Sequence, residues 1–190
     1  LIKGSVGILT TAQHIHFLDA MAKYLEGNGI KAIIGKGDER LHSEGQVLGC
    51  NASAARFIED KVDSFLYLGT GDFHPLAIAL STSKPVLAAD PISNEVRDMA
   101  PIKDRVLRQR FAAIEKAKQA ERFGILVSTK SGQRRMAVAS RVQKLLADAG
   151  LVSVMVELDL VTPDKLNSIG LDAWVSTACP RLAIDDYVTF

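Results

Sequence analysis

Two thiols stand out as the side chains best suited to chemistry, Cys50 and Cys179. A thiolate is a soft metal ligand and a strong nucleophile. Two cysteines so far apart make neither a disulfide framework nor a local zinc motif. Three readings stay open for them: buried fillers, metal ligands or nucleophiles. Ser131-Gly132-Gln133-Arg134-Arg135 offers backbone N–H groups and a guanidinium to an anion at a strand-to-helix turn, or is an ordinary solvent-facing helix start. It lacks both the dinucleotide and the Walker glycine pattern. Gly69-Thr70-Gly71-Asp72-Phe73-His74-Pro75 is a second such turn. There His74 either meets a ligand or moves a proton, or is held by local hydrogen bonds. Asp72 suits a helix cap. His14 and His16 are two residues apart, share no helix face and read as structural or solvated; Trp174 reads as core.

These groups need elements to carry them. Val6–Thr11, Lys31–Gly35, Asp63–Gly69 and Pro85–Ala89 read as buried strands. Between them lie a helix through Ile15, Leu18, Ala22 and Leu25 stopped at Asn28-Gly29, a helix from Asn51 or Ser53 through Lys61, and one at Leu76–Leu80. The stretch from Lys36 to Glu44 is an irregular polar loop. Asp90-Pro91 ends the run. A basic helix from Lys103 to Arg122 follows, with Leu107, Phe111 and Ile114 on one face, and reads as a connector. The pattern then restarts. Phe123–Thr129 echoes Val6–Thr11, a helix through Val138, Val142 and Leu145 ends at Gly150, and Val152–Leu158 is a strand. A short helix begins at Thr162-Pro163, and Leu171–Thr177 parallels Val62–Leu68. This internal duplication of about 110 residues predicts two similar parallel-sheet α/β domains. The expected boundaries are residues 1–102, a connecting helix 103–122, and residues 123–190. In open parallel sheets ligands gather beyond the carboxyl ends of the strands, where both cysteines and both turns fall.

The 190 residues carry 47% hydrophobic and 24% charged side chains, as a globular protein does. Twenty-three basic against 22 acidic residues leave a net charge of +1, which argues against nucleic acid or an anionic membrane as partner. No apolar run approaches the roughly 18 residues of a membrane span, and no secretory leader is visible. The expected compartment is the cytoplasm. A start at Leu1, strand-like Tyr187-Val188-Thr189 at the end, and a second copy lacking a counterpart of the strand at Val86 predict a piece of a longer protein.

Taken in order, Gly45-Gln46-Val47-Leu48-Gly49-Cys50, Gly69-x-Gly71-x-Phe73-His74-Pro75, Gly124-Ile125-Leu126-Val127-Ser128-Thr129-Lys130-x-Gly132-Gln133-x-Arg135 and Asp172-Ala173-x-Val175-x-Thr177-Ala178-Cys179-Pro180-Arg181-x-Ala183-Ile184-Asp185-Asp186 resemble one family. It is that of the diphthamide-synthesis enzyme 2-(3-amino-3-carboxypropyl)histidine synthase. The resemblance covers essentially the whole chain, and the two cysteine-bearing segments are its specific part.

The resemblance implies three similar α/β domains in a triangle, of which this chain would supply the middle and the last. Each domain would give one cysteine to a [4Fe–4S] cluster. Cys50 and Cys179 match two of the three, and the third would precede Leu1. Three cysteines leave one iron open for S-adenosylmethionine. The implied reaction cleaves the sulfur to γ-carbon bond, and a 3-amino-3-carboxypropyl radical adds to C2 of a histidine in the translocation elongation factor. Ser131, Gly132, Gln133 and Arg181 are the residues expected to bind S-adenosylmethionine, Arg181 through the carboxylate. His74 is expected near cofactor or substrate. The family forms homodimers or paralogous heterodimers. The chain alone is expected to fold, and to be inactive and colourless.

Two other readings compete. One is a quinolinate-synthase-like [4Fe–4S] enzyme acting on small acids. The other is a non-enzymatic, two-lobed small-molecule binder, which would leave both cysteines unexplained.

Overall fold

The computed structural model describes residues 2 and 4–185. The first sheet grows around Val6, Ile8 and Leu9, apolar residues with no exposed surface. They lie on β1 (Ser5–Thr10), which pairs in parallel with β2 (Lys31–Ile34) on one side and β3 (Ser64–Leu68) on the other. A strand buried on both faces reads as a continuous apolar run, which is why this one is legible in the sequence. β4 (Val86–Asp90) extends the sheet in parallel beyond β3. The sheet then departs from expectation. The chain does not leave it at Asp90-Pro91 but returns as β5 (Glu95–Asp98), antiparallel to β4. The sheet is therefore mixed, with order β2-β1-β3-β4-β5.

Helix α1 (Leu18–Gly27) follows a 3-10 turn at Ala12–Phe17 and buries Leu18 and Leu25 against Val6, Ile8 and Leu66. The helix expected to run through Lys61 is broken. α2 covers only Ser53–Arg56, and a 3-10 turn follows at Glu59–Lys61. Neither Asn51 nor Ser53 occupies its N-cap position; Ala52 does, without a side-chain bond. α3 (Phe73–Ser81) buries Leu76, Ile78 and Ala79.

α4 runs from Ala100 to Ala117, starting and ending earlier than the expected Lys103–Arg122. The Asp98 carboxylate accepts from the Ala100 N–H at 2.9 Å, and Pro101 suits the first turn. Arg122 belongs instead to the next strand. Leu107, Phe111 and Ile114 do share a helix face, but that face is exposed, Phe111 by 66%. The chain forms two compact units that divide between Arg105 and Val106, inside α4.

The second unit repeats the first. β6 (Arg122–Ser128) lies between β7 (Val152–Leu158) and β8 (Ala173–Ser176), all parallel. α5 (Met136–Asp148) covers one face through Ala139, which packs with Ile125 and Val127. α6 (Pro163–Ile169) covers the other through Leu166, packed with Leu126 and Trp174. Its cap is as read: Thr162 Oγ1 accepts from the Lys165 N–H, with Pro163 at the first position. α7 (Arg181–Asp185) is the last described element. Asp186 and the strand-like Tyr187–Thr189 lie outside the described residues.

Register makes the duplication physical. Gly7 is paired with Phe65, and Gly124 with Trp174. In both units a Cβ on the glycine would collide with the aromatic ring. The first strand gives up a side chain so that a large ring on the third can lie flat across it. Asp63 and Asp172 also match. Each precedes the third strand and binds the start of the first, Asp63 at Ser5 and Asp172 at Arg122.

Candidate functional site: two carboxyl rims

In the first unit the carboxyl rim is organised by the loop between β2 and α2. Gly45–Val47 pairs with the end of β1: the Thr10 N–H donates to the Gly45 carbonyl and the Val47 N–H to the Thr10 carbonyl, each at 2.8 Å. The chain then turns at Leu48-Gly49-Cys50-Asn51. The Asn51 N–H donates to the Leu48 carbonyl at 3.0 Å, and the Leu48 N–H returns a bond to the Asn51 carbonyl at 2.9 Å. Cys50 stands exposed on that turn as a free thiol. The turn leans on α3, since a Cβ on Gly49 would collide with the Phe73 ring. Cys50 and the residue preceding His74 therefore belong to one packed corner.

His74 stacks on Tyr67, ring centroids 6.2 Å apart and planes within 12°. Tyr67 is buried, and burial pushes its hydroxyl up to about 12, against the opposing hydrogen bond from Thr11. The Gly69 backbone passes so close that a Cβ there would lie 2.7 Å from the Tyr67 hydroxyl oxygen. Asp72 holds the N-cap position of α3 without a side-chain cap bond. Its carboxylate instead meets Arg97 on β5 at 3.1 Å. Arg97 also faces Asp90 at 4.0 Å and Glu95 at 3.7 Å. Tyr67 and Arg97 are not legible as rim residues in the sequence. The apolar run around Tyr67 hid its polar tip, and β5 carries no apolar alternation to betray it. His14 is half-buried and His16 exposed beside Phe17, consistent with a solvated or structural part.

In the second unit the rim is formed by the ends of two neighbouring strands. Thr177 is buried and binds the Leu126 carbonyl through both its N–H, at 2.9 Å, and its hydroxyl, at 2.8 Å. This fixes the end of β8 against β6. Two residues on stands Cys179, a free, half-buried thiol, followed by Pro180 and by Arg181 at the start of α7. The Leu182 N–H donates to the Cys179 carbonyl at 3.1 Å, so thiol and guanidinium share one turn. The adjacent strand β6 runs into Lys130-Ser131-Gly132-Gln133, closed by the Gln133 N–H on the Lys130 carbonyl at 3.1 Å. Gly132 has φ +76°, which glycine adopts readily. Ser131 and Gly132 are exposed and Gln133 is half-buried. Arg134 is not turned to a ligand: its guanidinium binds both oxygens of Glu157 on β7, at 3.0 and 3.2 Å. Trp174 is core, 6% exposed.

Neither thiol is a buried filler. Each unit presents one at a carboxyl rim, and thiolate is the donor that iron–sulfur clusters take. Among the described residues no three His, Cys, Asp or Glu side chains gather to hold a metal. Thiolate chemistry suits an iron–sulfur cluster, and each unit taken by itself offers one such donor.

Each of the two α/β units, one with a mixed and one with a parallel sheet, carries a thiol and a glycine-bearing turn on its own rim, which defines a class of repeated α/β domains. The sequence profile described as "Putative diphthamide synthesis protein" matches residues 2–190, and the chain belongs to that family. It is 42% identical to the 2-(3-amino-3-carboxypropyl)histidine synthase of Pyrococcus horikoshii over 180 residues, 95% of this chain and 51% of that protein. It is 35% identical to subunit 1 of the synthase of Nematostella vectensis, over 75% of this chain and 30% of that one. The crystal structure of Dph2 from Pyrococcus horikoshii with a 4Fe-4S cluster superposes with a TM-score of 0.88 at 40% identity, covering 95% of this chain and 52% of that chain. The chain thus spans about half the length of the Pyrococcus relative.

Proposed function

We propose that this chain is part of a transferase that moves the 3-amino-3-carboxypropyl group of S-adenosylmethionine to a histidine of the translocation elongation factor. This is the first step of diphthamide synthesis. The observation that carries the reading is the pair of free thiols, one on the carboxyl rim of each α/β unit, in a chain of this family. Cys50 and Cys179 would be ligands of a [4Fe–4S] cluster, in a protein of three such domains of which these are the middle and the last. When bound, the cluster supplies the electron that breaks the bond from sulfur to the γ-carbon.

The chain's own residues would bind and orient. The Ser131-Gly132-Gln133 turn offers backbone N–H groups to S-adenosylmethionine. Arg181, on the same turn as Cys179, would pair with its carboxylate, a geometry that suits a guanidinium. His74, stacked on the buried Tyr67 ring, would face cofactor or substrate on the rim of the first unit. The exchange is redox neutral overall: the imidazole C2–H gives way to a C2–C bond, and methylthioadenosine and a proton leave. The working form would be a homodimer or a paralogous heterodimer in the cytoplasm. No helix among the described residues is long and apolar enough to cross a membrane.

The test is anaerobic iron–sulfide reconstitution of the full-length protein, then incubation with S-adenosylmethionine, dithionite and elongation factor. The expected product is the elongation factor heavier by one 3-amino-3-carboxypropyl group on a histidine. A condensed small acid as product would favour the quinolinate-synthase reading. Ligand binding with no bound iron would favour the two-lobed binder.

A further inference from the structure

The loop that presents Cys50 is built more firmly than a surface connection needs. Between β2 and α2 the chain has no regular element, yet Gln46 and Asn51 in the loop and Ser53 at the start of α2 are buried, each exposed by 6% or less. Buried polar side chains in a loop are costly unless each is bonded, and here they are. Gln46 Oε1 accepts from the His42 and Ser43 N–H groups, at 2.9 and 3.1 Å. Asn51 Nδ2 donates to Asp38 Oδ1 at 2.7 Å, and Asn51 Oδ1 accepts from the Ser53 N–H at 3.0 Å. The Asp38 N–H closes the ring on Ser53 Oγ at 2.9 Å. Asn51 is also the residue whose backbone seals the turn beneath Cys50 on both sides. One residue thus bonds through backbone and side chain to the turn, the far arm of the loop and the start of α2.

We propose that Asn51 is a positioning residue for Cys50: with Asp38 and Ser53 it fixes the direction in which the thiol is presented. The value of that direction rests on the cluster reading above, since a cluster ligand must hold its sulfur within a fraction of an ångström. Asparagine suits the task because its amide donates at one end and accepts at the other. Aspartate in its place would keep the acceptor toward Ser53 and oppose Asp38.

The mechanical part is tested without a cluster. A nitroxide is attached to Cys50 in the 190-residue chain carrying Cys179→Ser, and its paramagnetic resonance line shape is recorded. Asn51→Ala should raise the mobile component several-fold, and Asp38→Ala should raise it less. The exchanged pair Asp38→Asn/Asn51→Asp should bring it back. Val62→Ala, a core deletion just before the amino end of β3 and away from the carboxyl rim, should lower the melting temperature without changing the line shape. An unchanged spectrum in a folded Asn51→Ala chain, or in Asp38→Ala should Asn51→Ala not fold, overturns the proposal. So does an equal change in Val62→Ala. The chemical part uses the reconstituted full-length protein. Asn51→Ala should alter the resonance spectrum of the reduced cluster, and an identical spectrum counts against positioning. A cluster that survives Cys50→Ala unchanged refutes the ligand reading instead, and leaves the nitroxide result to decide the role of Asn51.

Discussion

Asp172 takes hold of Arg122 at both ends of the residue: one carboxylate oxygen accepts from its backbone N–H at 2.9 Å, the other from its guanidinium at 2.8 Å. The first unit makes the same clasp with a different partner, Asp63 accepting from the N–H and hydroxyl of Ser5, each at 2.8 Å. The bonds from Arg122 hold Asp172 at about 2, below the ordinary 3.8. Those from Ser5 lower Asp63 in the same direction. A carboxylate depressed in the folded state adds stability above its unfolded value and loses it as pH falls through the folded one. Stability of the second unit should therefore drop between about pH 4 and pH 2. Asp172→Asn should flatten that drop, and added salt should weaken it because the pair is exposed. Melting curves at stepped pH measure both. An identical acid transition in Asp172→Asn would show that the clasp is inert.

The glycine and aromatic pair at the centre of each sheet should behave as one unit. Gly124→Ala places a methyl group against Trp174 and should cost about 1–3 kcal/mol, as overpacking does. Trp174→Ala should cost about 3–5 kcal/mol on its own. In the Trp174→Ala background the glycine substitution should become nearly neutral, a coupling that denaturant titration of the four chains would reveal. Strict additivity would mean that the ring is not what the glycine serves.

Gly69 meets a comparable limit from Tyr67. With φ +151° and the tyrosine hydroxyl against its backbone, Gly69→Ala should destabilise the turn before α3 by about 1–3 kcal/mol. Tyr67→Phe removes the oxygen and should recover part of that loss. Hydrogen exchange of residues 69–75 reports the local effect, and an unperturbed turn in Gly69→Ala would contradict it.

The chain by itself carries its two thiols on separate units, and among the described residues no third donor joins either one. Loaded with iron and sulfide under anaerobic conditions, the 190-residue chain should stay folded and nearly colourless. Four irons per chain with a brown spectrum would count against one ligand per unit.

What the sequence made legible follows from burial. β1 and β6 are apolar on both faces, so their runs stand out, and the matched Gly7 and Gly124 exposed the repeat. β5 escaped notice because an edge strand needs only backbone pairing; Glu95–Asp98 is polar and largely exposed, tied to its surroundings by Arg97. Both ends of α4 fall before the expected Lys103–Arg122: Asp98 and Pro101 set its start in the turn after β5, and Arg122 is claimed by an aspartate 50 residues on. The rim positions of Cys50 and Cys179 followed from strand order. Their surroundings did not. The Asn51–Asp38 bond joins residues 13 apart across an irregular loop, and the Arg134–Glu157 pair depends on the register of β6 with β7.

The proposed function requires Cys50 and Cys179 to be ligands of one cluster. Its most direct test takes full-length protein with Cys50→Ala and with Cys179→Ala, each reconstituted anaerobically. Bound iron is counted, and the mass of the elongation factor is read after reaction with S-adenosylmethionine and dithionite. Each single substitution should lose the intact cluster and abolish the mass gain. Full transfer by either variant would refute the proposed function.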